Sequence, residues 1–244
     1  MAIERIVLFL SVLFLYSCNQ EGAWDCIKTA GELDSERRDL PAFDKISIVD
    51  EIELELVQDS VQYVIVHGGK NLIGKVETVV EEGQLRISNE NFCDPVRSLK
   101  KILKVEVHVK DLKHIYTESV RNISSRDTLQ VTHLTLEVFN GVGTFNALLV
   151  GNFSCLVHSG SIDINIAGKA DSIYLYNLGL GYIYASEMIA PYCHLNHEST
   201  GDAYIYASNT LNIENYGSGA IYYAGNPTVV NVLDSTNQNI FKAD

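Results

Sequence analysis

The second half of the chain alternates hydrophobic and polar residues in short segments that each begin near a glycine. Examples are GVGTFNALL, GLGYIYAS, GDAYIYAS and GSGAIYYAG. Alternation with a period of two is typical of a β-strand that is buried on one face and exposed on the other. The repeating glycines are 19, 19, 22 and 16 residues apart, at Gly141, Gly160, Gly179, Gly201 and Gly217. This spacing indicates an internal repeat of about 19 residues.

Two columns of apolar residues share this period. The first lies at the strand centres: Phe145, Ile162, Ile183, Ile205 and Ile221. The second precedes the glycines: Leu136, Leu156, Leu175, Leu195 and Ile213. Stacked periods can bury an apolar face that one period alone cannot. The repeat therefore predicts an all-β fold, a single-chain parallel β-helix with coils of about 19 residues. The alternative is an antiparallel sandwich with evenly spaced hairpins.

The first half of the chain alternates in the same way but shows no clear repeat. The segment EIELELV places Ile52, Leu54 and Leu56 on one face, and KVEVHVK does the same with three valines. The segment KNLIGK indicates a helical turn. An uncovered solenoid end would expose hydrophobic core and free strand edges. We therefore expect these strands to begin the solenoid or to cap its first coil.

The N-terminus carries an apolar run at residues 6–16. This run is shorter than the about 20 residues of a membrane-spanning helix, and it fits the hydrophobic region of a signal peptide. The following LYSC resembles a bacterial lipobox, whose cysteine receives lipid. We predict a signal peptide at residues 1–17, lipidation of Cys18 with a tether over residues 18–41, and the β-helix over residues 42–241. The alternative is an ordinary signal peptide cut nearby.

Charge and cysteine content narrow the function classes. The formal net charge of −13 argues against binding to nucleic acid and against electrostatic docking on anionic lipid. Export permits disulfides, and the four cysteines after Cys18 allow three connectivities: these are Cys26, Cys93, Cys155 and Cys193. A Cys26–Cys93 bond would tie the tether to the body. Strand alternation predicts that Cys155 faces outward and Cys193 inward, which disfavours pairing them.

Candidate catalytic groups are sparse in the repeat. Within residues 127–241, Lys169 is the only Lys or Arg, whereas a β-helix lyase needs a base beside carboxylates or calcium. Hydrolysis would need two carboxylates about 5–9.5 Å apart. In the predicted coils, Asp202 could reach this separation from Glu187 or from Glu214. We predict no catalysis and no cofactor.

The segment CHLNH contains Cys193, His194 and His197, which are three potential metal ligands in five residues. Alternation sends the cysteine and His197 to one side of the strand and His194 to the other. Convergence on a metal would require a broken strand, so we predict no metal site here and a buried Cys193.

Tyrosine is the most informative surface residue. Ten of the 13 tyrosines lie between Tyr174 and Tyr223. The repeat predicts an outward column of Tyr184, Tyr206 and Tyr222, with Tyr182 beside Tyr204. Stacked rings on adjacent strands would form a structural ladder, worth about 0.2–1 kcal/mol per pair. The functional hypothesis is an aromatic face that binds a glycan or a surface protein, because tyrosine offers rigid contact area and a hydroxyl group.

The arrangement resembles the head GIN domain family of auto-transporter adhesin heads. The resemblance covers residues 43–225 and rests on FDKISIVDEIELELVQD, GGKNLIGKVETVVEEGQLRIS and GSGAIYYAGNPTV. It implies a right-handed parallel β-helix, lipoprotein export and a role in adhesion, and it brings no catalytic residues.

The sequence thus predicts a lipid-anchored protein of the outer membrane that acts by binding, and that is a monomer because the repeat closes its own core. A carbohydrate-active enzyme on the same scaffold and a purely structural envelope protein remain the alternatives.

Overall fold

The computed structural model of the chain describes residues 29–91, 103–119, 121–236 and 239–243. These residues form 19 β-strands and one turn of 3-10 helix, Ile73–Lys75, in a β-solenoid of about six turns. The first eight strands are β1 (Leu33–Asp39), β2 (Lys45–Ile48), β3 (Ile52–Gln58), β4 (Tyr63–Gly69), β5 (Val76–Glu81), β6 (Gln84–Asn89), β7 (Leu103–Val109) and β8 (His114–Thr117). The others are β9 (Ile123–Val138), β10 (Gly141–Val157), β11 (Gly160–Lys169), β12 (Ser172–Asn177), β13 (Ile183–Ile189), β14 (Tyr192–His197), β15 (Ala203–Tyr206), β16 (Thr210–Asn215), β17 (Ile221–Ala224), β18 (Val229–Ser235) and β19 (Ile240–Lys242). The predicted all-β solenoid and the helical turn in KNLIGK are confirmed.

Hydrogen bonds join the strands in two rows, which we call the front side and the back side. The front side runs in the order β1, β4, β7, β3, β9, β10, β11, β13, β15, β17 and β19. The back side runs in the order β5, β6, β2, β8, β9, β10, β12, β14, β16 and β18. Strands β9 and β10 are long enough to contribute to both sides. From β8 onward all of these pairings are parallel, as a β-helix requires.

Glycine marks the corners at which the chain passes from one side to the other. Gly160, which begins β11, has a φ of 104°, and a Cβ there would lie 2.2 Å from the carbonyl oxygen of Gly141 on the coil below. Gly151, between the two halves of β10, has a φ of 131°, and its Cβ would lie 1.8 Å from the carbonyl oxygen of Val131. Both corners therefore require a residue without a side chain.

The core consists of columns of apolar side chains on successive coils. The front core column is Phe145, Ile164, Ile183, Ala203 and Ile221. The predicted column is wrong at two positions, since Ile162 lies opposite Gly143 and Ile205 lies opposite Tyr223. Both isoleucines are nevertheless buried. A slip of two residues leaves a side chain on the same face of its strand.

The back core column is Leu136, Cys155, Leu175, Leu195 and Ile213. The predicted column had Leu156 in place of Cys155, and this slip of one residue reverses the face. Cys155 is fully buried, so the prediction that it faces outward is wrong. Cys193 is buried as predicted, and both thiols are free. Burial raises the pKa of both thiols, that of Cys193 to about 12.

The N-terminal strands both start the solenoid and cap it. The coil β2–β3 pairs in parallel with β8 and β9 on one edge and with β6 and β7 on the other. Strands β4 and β5 then pair antiparallel with β7 and β6, and β1 pairs with β4. Residues 33–39, assigned above to the tether, thus form β1, so the folded part begins before residue 42. Ile52, Leu54 and Leu56 are buried as expected.

The C-terminal end of the solenoid differs from this cap. In the described residues, β18 pairs only with β16 and β19 only with β17. Five apolar side chains of these two strands are 41–56% exposed: Val229, Val230, Val232, Leu233 and Phe241. The N-terminal end is therefore formed by antiparallel strands, whereas the C-terminal end is formed by parallel strands.

Several predictions concern residues that the structure does not describe. The signal peptide at residues 1–17, the lipidation of Cys18 and the cysteines Cys26 and Cys93 lie outside the described residues. Within the described part of the chain, no helix is both long enough and apolar enough to cross a membrane.

Candidate functional site: the front column and its groove

One outward-facing column crosses the front side and changes its chemistry along the way. The pairing register places its members level with one another on successive strands. The N-terminal members are charged, the middle members carry hydroxyl and amide groups, and the C-terminal members are aromatic. We call it the front column; in spatial order it contains Glu106, Glu55, Ser124, Asn146, Asn165, Tyr184, Tyr204, Tyr222 and Phe241.

The aromatic part of the front column is a ladder of stacked rings. Ring centroids are 5.4 Å apart for Tyr184 and Tyr204, 5.0 Å for Tyr204 and Tyr222, and 5.5 Å for Tyr222 and Phe241. Tyr182 precedes Tyr184 on the chain, with their centroids 6.0 Å apart and their planes at 14°. We call these five rings the tyrosine ladder. Stacked pairs on adjacent strands contribute about 0.2–1 kcal/mol each, so the ladder also stabilises the coils.

The ladder differs from the predicted column in two members. Tyr206 is level with Ala224 and lies outside the ladder, and Tyr204 occupies the predicted place of Tyr206. The error has the same cause as the error at Ile205. The predicted register of β15 was two residues away from the observed one, and strand alternation cannot detect such a shift. Phe241 was missed, although Ile240 and Phe241 follow Ile221 and Tyr222 at the repeat spacing of 19 residues. The prediction that Tyr182 lies beside Tyr204 is wrong, because Tyr182 is level with Asp202 and stacks on Tyr184. The outward orientation of the tyrosines is as predicted.

Exposure is greatest at the two ends of the ladder. Tyr182 and Tyr184 are 41% and 42% exposed, and Phe241 is 48% exposed, whereas the inner rings of Tyr204 and Tyr222 are partly buried between their neighbours. Desolvation, together with the nearby charge of Asp202, raises the pKa of Tyr204, so its hydroxyl group stays protonated at neutral pH. The ladder thus offers most of its free ring surface at its ends.

A groove lies beside the end of the ladder formed by Tyr184. It has a volume of about 510 Å³. It forms where the strand pairing is irregular, because β9 has three residues, 125–127, opposite Ala147, and β13 has two, 185–186, opposite Ile166. Its lining includes Ser125, Asn146, Leu148, Asn165, Tyr184, Ser186 and Glu187, with the buried Ala147 and Ile166 at its floor. We call it the corner groove.

The amide groups of the corner groove are ordered by hydrogen bonds between coils. Asn165 Nδ2 donates to Asn146 Oδ1 at 2.9 Å, and Asn146 Nδ2 donates to Thr144 Oγ1 at 2.7 Å. The backbone N–H of Leu148 donates to Ser125 Oγ at 3.0 Å. These bonds fix the side chains of one wall in a single arrangement.

The N-terminal part of the front column holds a network of charged groups. Glu106 and Glu55 are level on adjacent strands, and Arg126 donates hydrogen bonds to both carboxylates. His108 lies between two carboxylates, with Nε2 2.7 Å from Glu106 Oε1 and Nδ1 2.9 Å from Asp59 Oδ2. Arg126 and the carboxylates of Glu106 and Glu55 are therefore engaged with one another within the network.

Aromatic stacking covers this network. The ring of Tyr63 stacks on His108 with centroids 3.8 Å apart, and the guanidinium group of Arg37 lies 3.5 Å from the centre of the Tyr63 ring. Glu106 is only 7% exposed. Burial opposes its charge, but Arg126 and His108 outweigh this effect and hold its pKa at about 2. The charged groups of this network are thus paired with one another, and few of their polar atoms remain available to bind a ligand.

The predicted alternation in CHLNH is confirmed. Cys193 and His197 are buried, whereas His194 faces outward on the back side, with Nε2 2.9 Å from Glu214 Oε1. Burial lowers the pKa of His197, although the backbone of Gly201 and the charge of Asp202 partly oppose this. Among the described residues, no group of three or more His, Cys, Asp or Glu side chains could hold a metal ion.

The register separates the three carboxylates considered for hydrolysis. Glu187 lies on β13 of the front side and Glu214 on β16 of the back side. Asp202 precedes β15, and its Oδ1 accepts a hydrogen bond from the backbone N–H of Ala220 at 2.8 Å. Since Ile183 is level with Ala203, Asp202 is level with Tyr182 and not with Glu187. The three acids do not form a facing pair on adjacent strands.

The two rows of parallel strands and the outward column repeated on successive coils define a β-solenoid. The chain belongs to the family described as "Putative auto-transporter adhesin, head GIN domain", whose model matches residues 42–227. The family that the sequence resembles is therefore confirmed. No curated protein matches the chain.

Solved structures show the same fold. A protein from Bacteroides fragilis, named a putative adhesin, superposes with a TM-score of 0.77 at 21% identity, covering 86% of this chain and 96% of that chain. A putative adhesin from Parabacteroides merdae gives a TM-score of 0.56 at 17% identity, over 88% and 98%. A putative lipid binding protein from Parabacteroides distasonis gives 0.55 at 22% identity, over 88% and 98%. At these identities the likeness concerns the fold.

Proposed function

We propose that the protein is an adhesin-like binding module of the cell envelope whose contact surface is the tyrosine ladder. The observation that carries the proposal is the row of stacked rings on the front side, with Tyr182 and Tyr184 more than 40% exposed at one end. Rigid, amphipathic tyrosine side chains lose little entropy on binding, which makes them effective contact groups. The ligand is a glycan or a surface protein.

Export and anchoring form the second part of the proposal. The hydrophobic run and the lipobox-like LYSC support cleavage after Ser17 and lipidation of Cys18. Each buried methylene adds about 0.8 kcal/mol, so two or more acyl chains would hold the protein stably on the outer membrane. Membership in a family described as adhesin heads is consistent with this location. Successive coils of the same chain bury the core cluster up to Ile221, which supports a monomer.

The proposed role is binding without catalysis and without a cofactor. The ladder contains no carboxylate, histidine or lysine, and the charged groups Glu106, Glu55 and Arg126 of the N-terminal coils are engaged with one another. The net charge of −13 disfavours nucleic acid as a partner. The ladder also stabilises adjacent coils, so a purely structural role must be distinguished from binding by experiment.

The test compares two triple variants of the full-length chain in detergent. The ladder variant carries Tyr184→Ser, Tyr204→Ser and Tyr222→Ser. The control carries Tyr174→Ser, Tyr176→Ser and Tyr192→Ser, which remove three outward tyrosines from the back side. Binding is measured on glycan and cell-surface protein arrays, and folding by the melting temperature.

We expect the ladder variant to lose binding while remaining folded and the control to bind like the wild-type protein. Absence of any ligand for the wild-type protein, or equal losses in the two variants, would contradict the proposed function. Metabolic labelling of cells with a fatty acid tests the anchor separately. Lipid incorporation should disappear in Cys18→Ser.

A further inference from the structure

We propose that the corner groove binds a short, neutral oligosaccharide, with one sugar ring against the exposed end of the ladder at Tyr184. This inference rests on the proposed binding function and specifies its ligand class and its central contact. The site comprises Asn165, Tyr184, Ser186 and Glu187 over a floor of Ala147 and Ile166.

The shape of the groove suits a chain of a few sugar units. Its volume of about 510 Å³ falls within the range of about 300–1,000 Å³ that is typical of ligand sites. Its lining comes from four successive strands of the front side, β9, β10, β11 and β13. At about 4.8 Å between neighbouring strands, these span roughly 14 Å along the stack. An elongated ligand can therefore lie across the coils.

The groove combines the three kinds of contact that sugars use. The exposed ring of Tyr184 offers an apolar surface for the C–H groups of a sugar ring. Asn165 donates one hydrogen bond to Asn146, and within the described residues its carbonyl oxygen has no protein donor. The Glu187 carboxylate and the Ser186 hydroxyl likewise have no protein partner in the part of the chain that the structure describes. Acceptors of this kind can take hydrogen bonds from sugar hydroxyl groups.

The charge of the groove favours a neutral ligand. Glu187 is the only ionisable side chain in its lining apart from the phenol of Tyr184, and no Lys or Arg contributes to it. The whole chain carries a formal net charge of −13. A sulfated or uronic-acid glycan would meet a carboxylate without a compensating cation, whereas an uncharged sugar can donate hydroxyl groups to it.

The position of the groove makes Tyr184 the preferred contact within the ladder. Tyr204 and Tyr222 are partly buried between stacked neighbours, whereas Tyr184, which stacks with Tyr182 and Tyr204, is 42% exposed. On the groove side, the neighbour of Tyr184 in the front column is Asn165, whose side chain is shorter than a tyrosine ring. The aromatic surface at this end is therefore accessible from the groove, and it adjoins the acceptor groups described above.

The experiment measures binding of the full-length protein in detergent to an array of neutral gluco-, manno-, galacto- and xylo-oligosaccharides, with sulfated and uronic-acid oligosaccharides beside them. Ser186→Trp fills the groove from an exposed position. Glu187→Gln removes the negative charge of this side chain and keeps almost the same side-chain shape. Ile189→Trp is the matched control, because Ile189 is an exposed residue on the same strand outside the groove. Melting temperatures confirm that each variant folds.

We expect the wild-type protein to bind at least one neutral oligosaccharide. Ser186→Trp should weaken that binding by at least about tenfold, and Glu187→Gln by about three- to tenfold, as the loss of one or two hydrogen bonds predicts. Ile189→Trp should bind like the wild-type protein.

Other outcomes separate this inference from the proposed function. Binding to acidic oligosaccharides only, or to a protein only, with loss in the ladder variant, would overturn the oligosaccharide assignment and leave the ladder as the binding surface. Neutral-sugar binding that survives Ser186→Trp and Glu187→Gln but not the ladder substitutions would overturn the groove alone. Binding that survives all of these variants would overturn both.

Discussion

The N-terminal and C-terminal coils use the same outward position of the front side for unlike purposes. In the N-terminal coils this position holds Glu106 and Glu55, which Arg126 bridges. In the C-terminal coils it holds Tyr184, Tyr204 and Tyr222, whose rings stack on one another. Stacking does not involve their hydroxyl groups. The charged groups are satisfied internally, whereas the aromatic groups leave surface and hydroxyl groups available. The comparison indicates that the same position holds ion pairs in the N-terminal coils and exposed ring surface in the C-terminal coils.

The largest expected effect concerns the junction between these regions. Phe145 and Phe153 stack in the core with centroids 5.9 Å apart, and both are at most 1% exposed. Phe145→Ala should lower the free energy of unfolding by about 3–5 kcal/mol, because it leaves a cavity at the junction. Urea denaturation measures the change. Val142→Ala, at a 46% exposed position, is the control and should cost less than about 1 kcal/mol.

A charge variant should distinguish the N-terminal network from ordinary surface ion pairs. Arg126→Met would leave the buried Glu106 without its strongest partner and should cost about 1–3 kcal/mol of stability. Arg121→Met removes a pair with Glu51 in which both side chains are at least 40% exposed, and should cost about 0–1 kcal/mol. Equal losses in urea denaturation would contradict the view that the network stabilises this end. Neither variant should alter binding by the ladder.

Acid should affect the two regions in different pH windows. The pKa of Glu106 is lowered to about 2, so its contribution to stability is fully present above about pH 4.5 and is lost as the pH falls toward 2. The pKa of His197 is lowered as well, in this case by burial. Below about pH 6.5 the unfolded chain therefore binds a proton at this histidine more readily than the folded chain does. Stability should therefore begin to fall below pH 6.5 and fall further below pH 4.5.

Melting temperatures measured from pH 8 to pH 3 test these windows. His197→Gln should remove much of the slope just below pH 6.5, and Glu106→Gln should remove much of the slope below pH 4.5. An unchanged pH profile in both variants would contradict the assignment of these two groups.

Strand alternation predicted which side chains face inward but could not determine the register. Ile205 and Tyr206 lie on the expected faces, yet each sits two residues away from its predicted column, because a slip of two preserves the face. The error at Cys155 arose beyond the glycine corner at Gly151, where β9 has two residues opposite one of β10 and alternation is interrupted.

The corner groove and the charged network were beyond sequence analysis for related reasons. The groove depends on extra residues in β9 and β13, which are apparent only once the pairing is known. The network joins Glu106 to Arg126 and Asp59 across strands that the irregular order of the first coils brings together. Tyrosine content, in contrast, was sufficient to predict the aromatic surface.

The smallest expected effect concerns the ladder's contribution to stability. Tyr204 has two stacked neighbours, so Tyr204→Ser should cost about 1 kcal/mol, from two pairs of about 0.2–1 kcal/mol each. Tyr206→Ser removes a partly buried tyrosine from the same strand without breaking a ladder contact, and its cost should be lower. A loss above about 3 kcal/mol in Tyr204→Ser would favour a mainly structural role for the ladder.

The most direct test of the account is hydroxyl-radical footprinting of the tyrosines on the full-length protein, free and bound to a surface to which it adheres. The account predicts that binding protects Tyr182 and Tyr184 most strongly, while Tyr192 on the back side, which is 50% exposed, remains equally reactive. Protection of Tyr192 with no change at Tyr182 and Tyr184 would contradict the claim that the front side of the C-terminal coils is the binding surface.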